Sequence, residues 1–98
     1  MAKAIWSDRA AREFEDLILY LKPRNRDAAV RAAREIKSLT RLLARRPRLG
    51  RMGTREGTRE FSVARWHKVI VYRESEGGIE ISTLRDPRMQ PKQDDTDT

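Results

Sequence analysis

Cysteine is missing from this chain and histidine occurs once. A disulfide framework and a thiolate metal site are therefore excluded. The remaining possible ligands are scattered carboxylates, so no metal and no cofactor is expected. Nor is there any stretch approaching the ~20 apolar residues that cross a bilayer. The start, MAKAIWSDRAAREF, is broken by charges every few positions and lacks the apolar core of a signal peptide. The chain reads as a soluble protein compatible with a reducing cytoplasm, stabilised by packing alone.

Acidic residues are also in short supply. Fifteen Asp and Glu face twenty-two Lys and Arg, a formal charge of +7 over 98 residues. Such an excess draws a protein towards nucleic acid, an acidic protein or an anionic surface, without choosing among them. The length fits one domain with one modest core, placed at residues 1–91. Residues 92–98, KQDDTDT, contain no apolar side chain and read as a disordered acidic tail.

Hydrophobic spacing supplies the elements. A short apolar strand at residues 4–6 leads to Ser7, placed to cap a helix, with Asp8 in the first turn favouring its dipole. Ala10, Phe14, Leu17, Ile18 and Leu21 then recur at helical spacing up to Pro23. Asn25 or Asp27 caps a second helix with Ala29, Ala33, Ile36, Thr40 and Leu43 on one face, and Pro47 stops it. Arg31, Arg34 and Arg41 read as part of its solvated face. The two helices form an αα-hairpin.

Residues 47–58 carry three glycines among basic residues and read as a surface connection. Residues 41–59 hold seven arginines and one acid, a net +6 in nineteen residues. An acidic partner that relieves this self-repulsion is the economical reading of Arg45, Arg46, Arg48, Arg51 and Arg55. Beyond it, Phe61 and Val63 alternate with Glu60 and Ser62 as in a half-buried strand. The run Val69, Ile70, Val71, Tyr72 suits a central strand, with Tyr72 packed, and residues 79–84 a last one after a glycine turn. The fold class is therefore α+β: a short N-terminal strand, an αα-hairpin, then a three-stranded antiparallel sheet, in the order βααβββ. His67, between Trp66 and Lys68, reads as an exposed turn residue. Trp6 closes the core, while Trp66 is open to either the core or a partner.

The strand with Trp6, the element order, PRLGR at 47–51, GTRE at 57–60, HKVIVYR at 67–73 and RMQP at 88–91 together resemble the ParE branch of the ParE/RelE toxin superfamily. The resemblance spans residues 5–91. It implies a cytoplasmic bacterial toxin of a type II toxin-antitoxin module, held in a hetero-oligomer by a cognate antitoxin. ParE-type members trap DNA gyrase on cleaved DNA, and RelE-type members cut messenger RNA on the ribosome.

RNA cleavage through the 2′-hydroxyl needs a proton acceptor, a proton donor and cations at the phosphate. Arginines are plentiful here, but no Tyr or His follows Tyr72, and arginine is a poor proton shuttle. Lys68 or Val69 stands where the RelE pattern has an arginine before the apolar pair of the middle strand. The chain is therefore expected to be a toxin without catalytic residues of its own. A RelE-type endoribonuclease is the alternative, followed by a non-toxic basic module that binds nucleic acid or a partner. In ParE-like proteins the last strand and its basic tail are implicated in gyrase poisoning, which by resemblance assigns target contact to Arg85, Arg88 and Met89, with Arg59 and Arg73 beside them. Here LRDPRMQP at 84–91 places Arg85 and Asp86 where a histidine often follows the last strand. An acidic, amphipathic antitoxin segment that folds on binding would meet Arg45, Arg46, Arg48, Arg51, Arg55 and Trp66.

Overall fold

The computed structural model describes residues 2–88. Met89 and the acidic segment 92–98 lie outside the described residues. Strand β1 (Lys3–Trp6) leads into helix α1 (Asp8–Leu21), followed by helix α2 (Arg26–Arg45). A 3₁₀ turn (Pro47–Leu49) connects to β2 (Arg51–Met52) and then β3 (Arg59–Val63). A second 3₁₀ turn (Ala64–Trp66), β4 (Lys68–Ser75) and β5 (Gly78–Arg85) complete the order.

Both helices start where their caps dictate. The Ser7 hydroxyl accepts from the Ala10 N–H (3.0 Å) and donates to the Ser82 carbonyl (2.9 Å), so one side chain begins α1 and ties it to β5. Asn25, not Asp27, caps α2 by accepting from the Ala28 N–H at 3.0 Å. Glu13 adds a second tie from α1. One of its carboxylate oxygens accepts from the Thr83 hydroxyl (2.7 Å) and the Leu84 N–H (2.9 Å).

The sheet has five strands, in the order β1-β5-β4-β3-β2, and not three plus the first short one. Strand β1 joins β5 in parallel, while β2 pairs antiparallel with β3 through Arg51↔Glu60 and Met52↔Arg59. Two residues carry no readable period, so the segment 47–58 looked like an unpaired connection. The Tyr72 hydroxyl is what seats it. It donates to the Pro47 carbonyl (2.6 Å) and accepts from the Gly50 N–H (2.9 Å). A Cβ at position 50 would collide with that hydroxyl and stand 2.9 Å from the Glu60 carbonyl oxygen, so glycine is needed for the close approach.

Helices cover one face of the sheet, burying Ile36 and Leu43 of α2 against Ile70, Tyr72, Ile79, Ile81 and Leu84. A bulge lies in β5: Ile81 pairs with Tyr72 and Thr83 with Val71, leaving Ser82 as the extra residue. That residue shifts the alternation by one, so Ile79, Ile81 and Leu84 all reach the core. The other face of the sheet is open, and there the period-2 reading of β3 needs correcting. Val63 is buried and Phe61 half-buried as expected, but Glu60, on the supposed solvent side, is also buried. Two arginines cover it.

Candidate partner-binding surfaces

Candidate side chains gather at the two ends of β3, about 13 Å apart for a five-residue strand. At the first end, where β2 pairs, Arg45, Arg46, Arg48 and Arg51 are exposed and Arg55 is half-buried. Leu49 and Met52 are exposed among them, at 47% and 67%. This linker end is thus basic and partly apolar, with few acids nearby. Arg48 approaches Glu74 at 3.8 Å with both groups largely in solvent, an ion pair of little strength.

Arg59 starts β3 here, but it pairs with Tyr72 and so shares the helix-side face. Its guanidinium donates to the Gly50 carbonyl at 2.9 Å, bracing the same loop that Tyr72 holds. Arg73 and Arg85 are on the opposite, open face, because their neighbours Tyr72 and Leu84 point into the core. The expected target set is therefore split across the sheet.

Arg85 is only partly available. Its guanidinium reaches a Glu60 carboxylate oxygen at 3.3 Å, and Arg51 donates to the same oxygen at 3.0 Å. Arg51 also donates to the Ser62 hydroxyl at 3.1 Å. A buried acid between two arginines links β2 to β5 across the open face. Period-2 reading missed Glu60; its only signal in the sequence is an acid in a strand flanked by arginine-rich segments.

The second end holds a cleft of about 610 Å³ between the last two turns of α1 and the 3₁₀ turn before β4. Leu17, Tyr20 and Leu21 form one wall, and Arg65, Trp66 and Lys68 the other. Exposed His67 also lines it, with φ at +54°, left-handed backbone that closes the turn. Trp66 is thus separated from the linker arginines with which it was grouped. Its indole N–H donates to Glu35 of α2 at 2.9 Å.

Arg88 and Asp86 also line the cleft and are joined by two hydrogen bonds, Arg88 Nε to Oδ1 at 3.0 Å and Nη2 to Oδ2 at 2.7 Å. The Arg88 backbone N–H donates to the same Oδ1 at 2.8 Å. These bonds hold the Asp86 carboxyl well below the usual carboxylate range and raise Arg88. Tyr72 moves the other way from its usual value of 10.0, because burial disfavours the phenolate. Among the described residues, no three His, Cys, Asp or Glu side chains are grouped to hold a metal ion, and no helix is long and apolar enough to cross a membrane.

An α-hairpin on one face of a five-stranded sheet, with a basic rim at one end and an aromatic cleft at the other, defines a basic α+β protein of RelE/ParE-like architecture. The sequence pattern of the ParE toxin of type II toxin-antitoxin systems, parDE, matches residues 4–91. The chain belongs to that family. Its fold is similar to a solved chain described as "Chromosomal ParDE TA system from P. aeruginosa", with a TM-score of 0.74 and 19% identity over 88% of this chain and 96% of that one. No curated protein sequence matches the chain. It is a ParE-type toxin of a ParDE type II system, which implies an antitoxin as partner.

Proposed function

We propose that this toxin poisons DNA gyrase by binding, trapping the enzyme on cleaved DNA, and does so in the cytoplasm without a cofactor or a catalytic residue of its own. One observation carries the non-enzymatic reading. Tyr72, the last tyrosine in the sequence, is buried with its hydroxyl committed to Pro47 and Gly50, and its proton is held more tightly than usual. It is unsuited to the proton transfer that RNA cleavage demands. Arg73 and Arg85 on the open face, with Arg88 and the adjoining Met89, are the target contacts in this reading; Arg59 serves them by bracing the loop. Residues 1–91 act as one domain.

The antitoxin is proposed to lay an acidic, amphipathic segment on the linker end, where Arg45, Arg46, Arg48, Arg51 and Arg55 adjoin exposed Leu49 and Met52. Trp66, at the other end of β3, falls outside that contact. To test the target, the full chain is titrated into a gyrase supercoiling reaction with ATP, and the enzyme is then denatured. Linear plasmid is the expected product, diminished by Arg85→Ala. Unaffected supercoiling would overturn the gyrase reading and bring ribosome-dependent RNA cleavage forward.

A further inference from the structure

We propose that the cleft between α1 and the 3₁₀ turn Ala64–Trp66 binds one nucleotide unit of single-stranded nucleic acid, its base against Trp66 and Tyr20 and its phosphate on Lys68 and Arg65. At about 610 Å³ the cleft lies within the range of small-molecule sites. Its aromatic groups are fixed in advance. Trp66 packs against the core on one side, and its ring is oriented by the bond to Glu35. Tyr20 is 57% exposed, with the Arg24 guanidinium over its ring at 3.9 Å and that guanidinium also bonded to the Tyr20 carbonyl at 2.7 Å. Ordering these rings therefore costs little when a base arrives.

Charge decides which way the nucleotide lies. Asp16 is on the α1 wall and would repel a phosphate there. On the turn wall, Arg65 makes only a 3.8 Å contact with Glu35, with its side chain 63% exposed. Lys68 sits beside it, near an Asp86 already neutralised by Arg88. Two cations for one phosphate, in a cleft lined by two aromatic side chains, suit a nucleotide better than an acidic peptide. The peptide is better served by the linker end, where cations are dense. The inference does not depend on gyrase being the target.

The test is binding of a short oligothymidylate to the full chain, read by tryptophan fluorescence. Trp6 and Trp66 are the two tryptophans, so Trp6→Phe isolates the cleft signal. Quenching on binding is expected, with about tenfold weaker affinity for Tyr20→Ala, the loss of one stacked base. Lys68→Gln should lower the slope of log K against log salt by about 0.7, the share of one single-strand phosphate. Both residues are at least partly exposed, so the fold survives both changes. Arg45→Gln with Arg46→Gln should leave the quench and affinity within about twofold, since neither lines the cleft. The proposal is overturned if no quench appears, or if the linker variant loses binding while Tyr20→Ala does not, which would mark a polyanion on the basic rim. It is also overturned if polyglutamate quenches Trp66 as well as the oligonucleotide does. Each of these results leaves the gyrase assay to stand or fall separately.

Discussion

The linker end and the cleft end are both cationic but differ in how they hold their charge. At the linker end Arg45, Arg46, Arg48 and Arg51 are exposed, Arg51 reaching the buried acid Glu60 at 3.0 Å, and their loop is seated by a neutral phenol, Tyr72. At the cleft end the surface is concave, and one of its cations is already paired, Arg88 to Asp86. A rim of exposed arginines in excess over its acids attracts an extended acidic partner from a distance and loses that attraction in salt. A concave wall with few active charges selects by shape and stacking. One small domain thus presents two chemistries, and the sheet between them must keep both in place.

The largest effect expected from breaking this arrangement is at the linker end. Tyr72→Phe leaves the Pro47 carbonyl and the buried Gly50 N–H without their partner, a loss of about 1–3 kcal/mol in urea unfolding. The same variant has a pH signature. Because the folded protein raises the Tyr72 pKa above 10.0, its stabilisation is complete below that pH and is lost as the pH rises further towards the folded value. Stability measured from neutral to strongly alkaline pH should therefore fall less steeply in Tyr72→Phe than in the parent. Parallel curves would mean that the hydroxyl does not seat the 47–58 loop as the hydrogen bonds indicate.

A smaller effect is expected at the bridge between the ends. Glu60→Gln removes the charge that Arg51 and Arg85 share, while keeping an oxygen to accept a hydrogen bond. Both guanidinium groups retain access to water, Arg51 at 57% and Arg85 at 19% exposure, so the cost is about 0.5–1 kcal/mol. The functional consequence runs the other way. With Arg85 released on the open face, gyrase trapping should strengthen if that arginine touches the target. Weaker trapping with unchanged stability would show that Glu60 holds Arg85 in its working position.

The contrast between the ends also explains what could be read from the sequence. Both helices were legible because Ala10, Phe14, Leu17, Ile18 and Leu21, and then Ile36, Thr40 and Leu43, repeat over several turns between a capping residue and a proline. Strand β4 was legible as a run of apolar β-formers. Strand β2 was not, since its pairing depends on a tyrosine twenty residues further on and not on any period of its own. Ser82 hid the face change in β5, because a bulge adds one residue without altering composition. The linker arginines were visible as a block of charge. The cleft was not, because three segments distant in sequence build it and each looks ordinary alone: a helix end, a turn and a strand exit. For the same reason the sequence groups Trp66 with the linker arginines Arg45 to Arg55, although β3 carries it to the far end.

The smallest expected effect tests whether the cleft end is as self-neutralised as its geometry indicates. The Arg88 side chain is 70% exposed, so its pair with Asp86 contributes little to stability, yet three hydrogen bonds from Arg88 hold the Asp86 pKa well below the ordinary value of 3.8. A depressed carboxyl contributes its stabilisation above the ordinary value and loses it as the pH falls towards the folded one. Side-chain carbon shifts of Asp86, followed by NMR down the acid range, should therefore stay flat through the region where ordinary aspartates titrate. Arg88→Ala should return the midpoint most of the way to that region, because it removes the guanidinium and its two bonds while leaving the backbone N–H in place. The Tm should barely move. An Asp86 that titrates normally in the parent would mean that Arg88 is free in the cleft lining. In that case the cleft end would carry a third active cation, and the contrast in charge between the two ends would narrow.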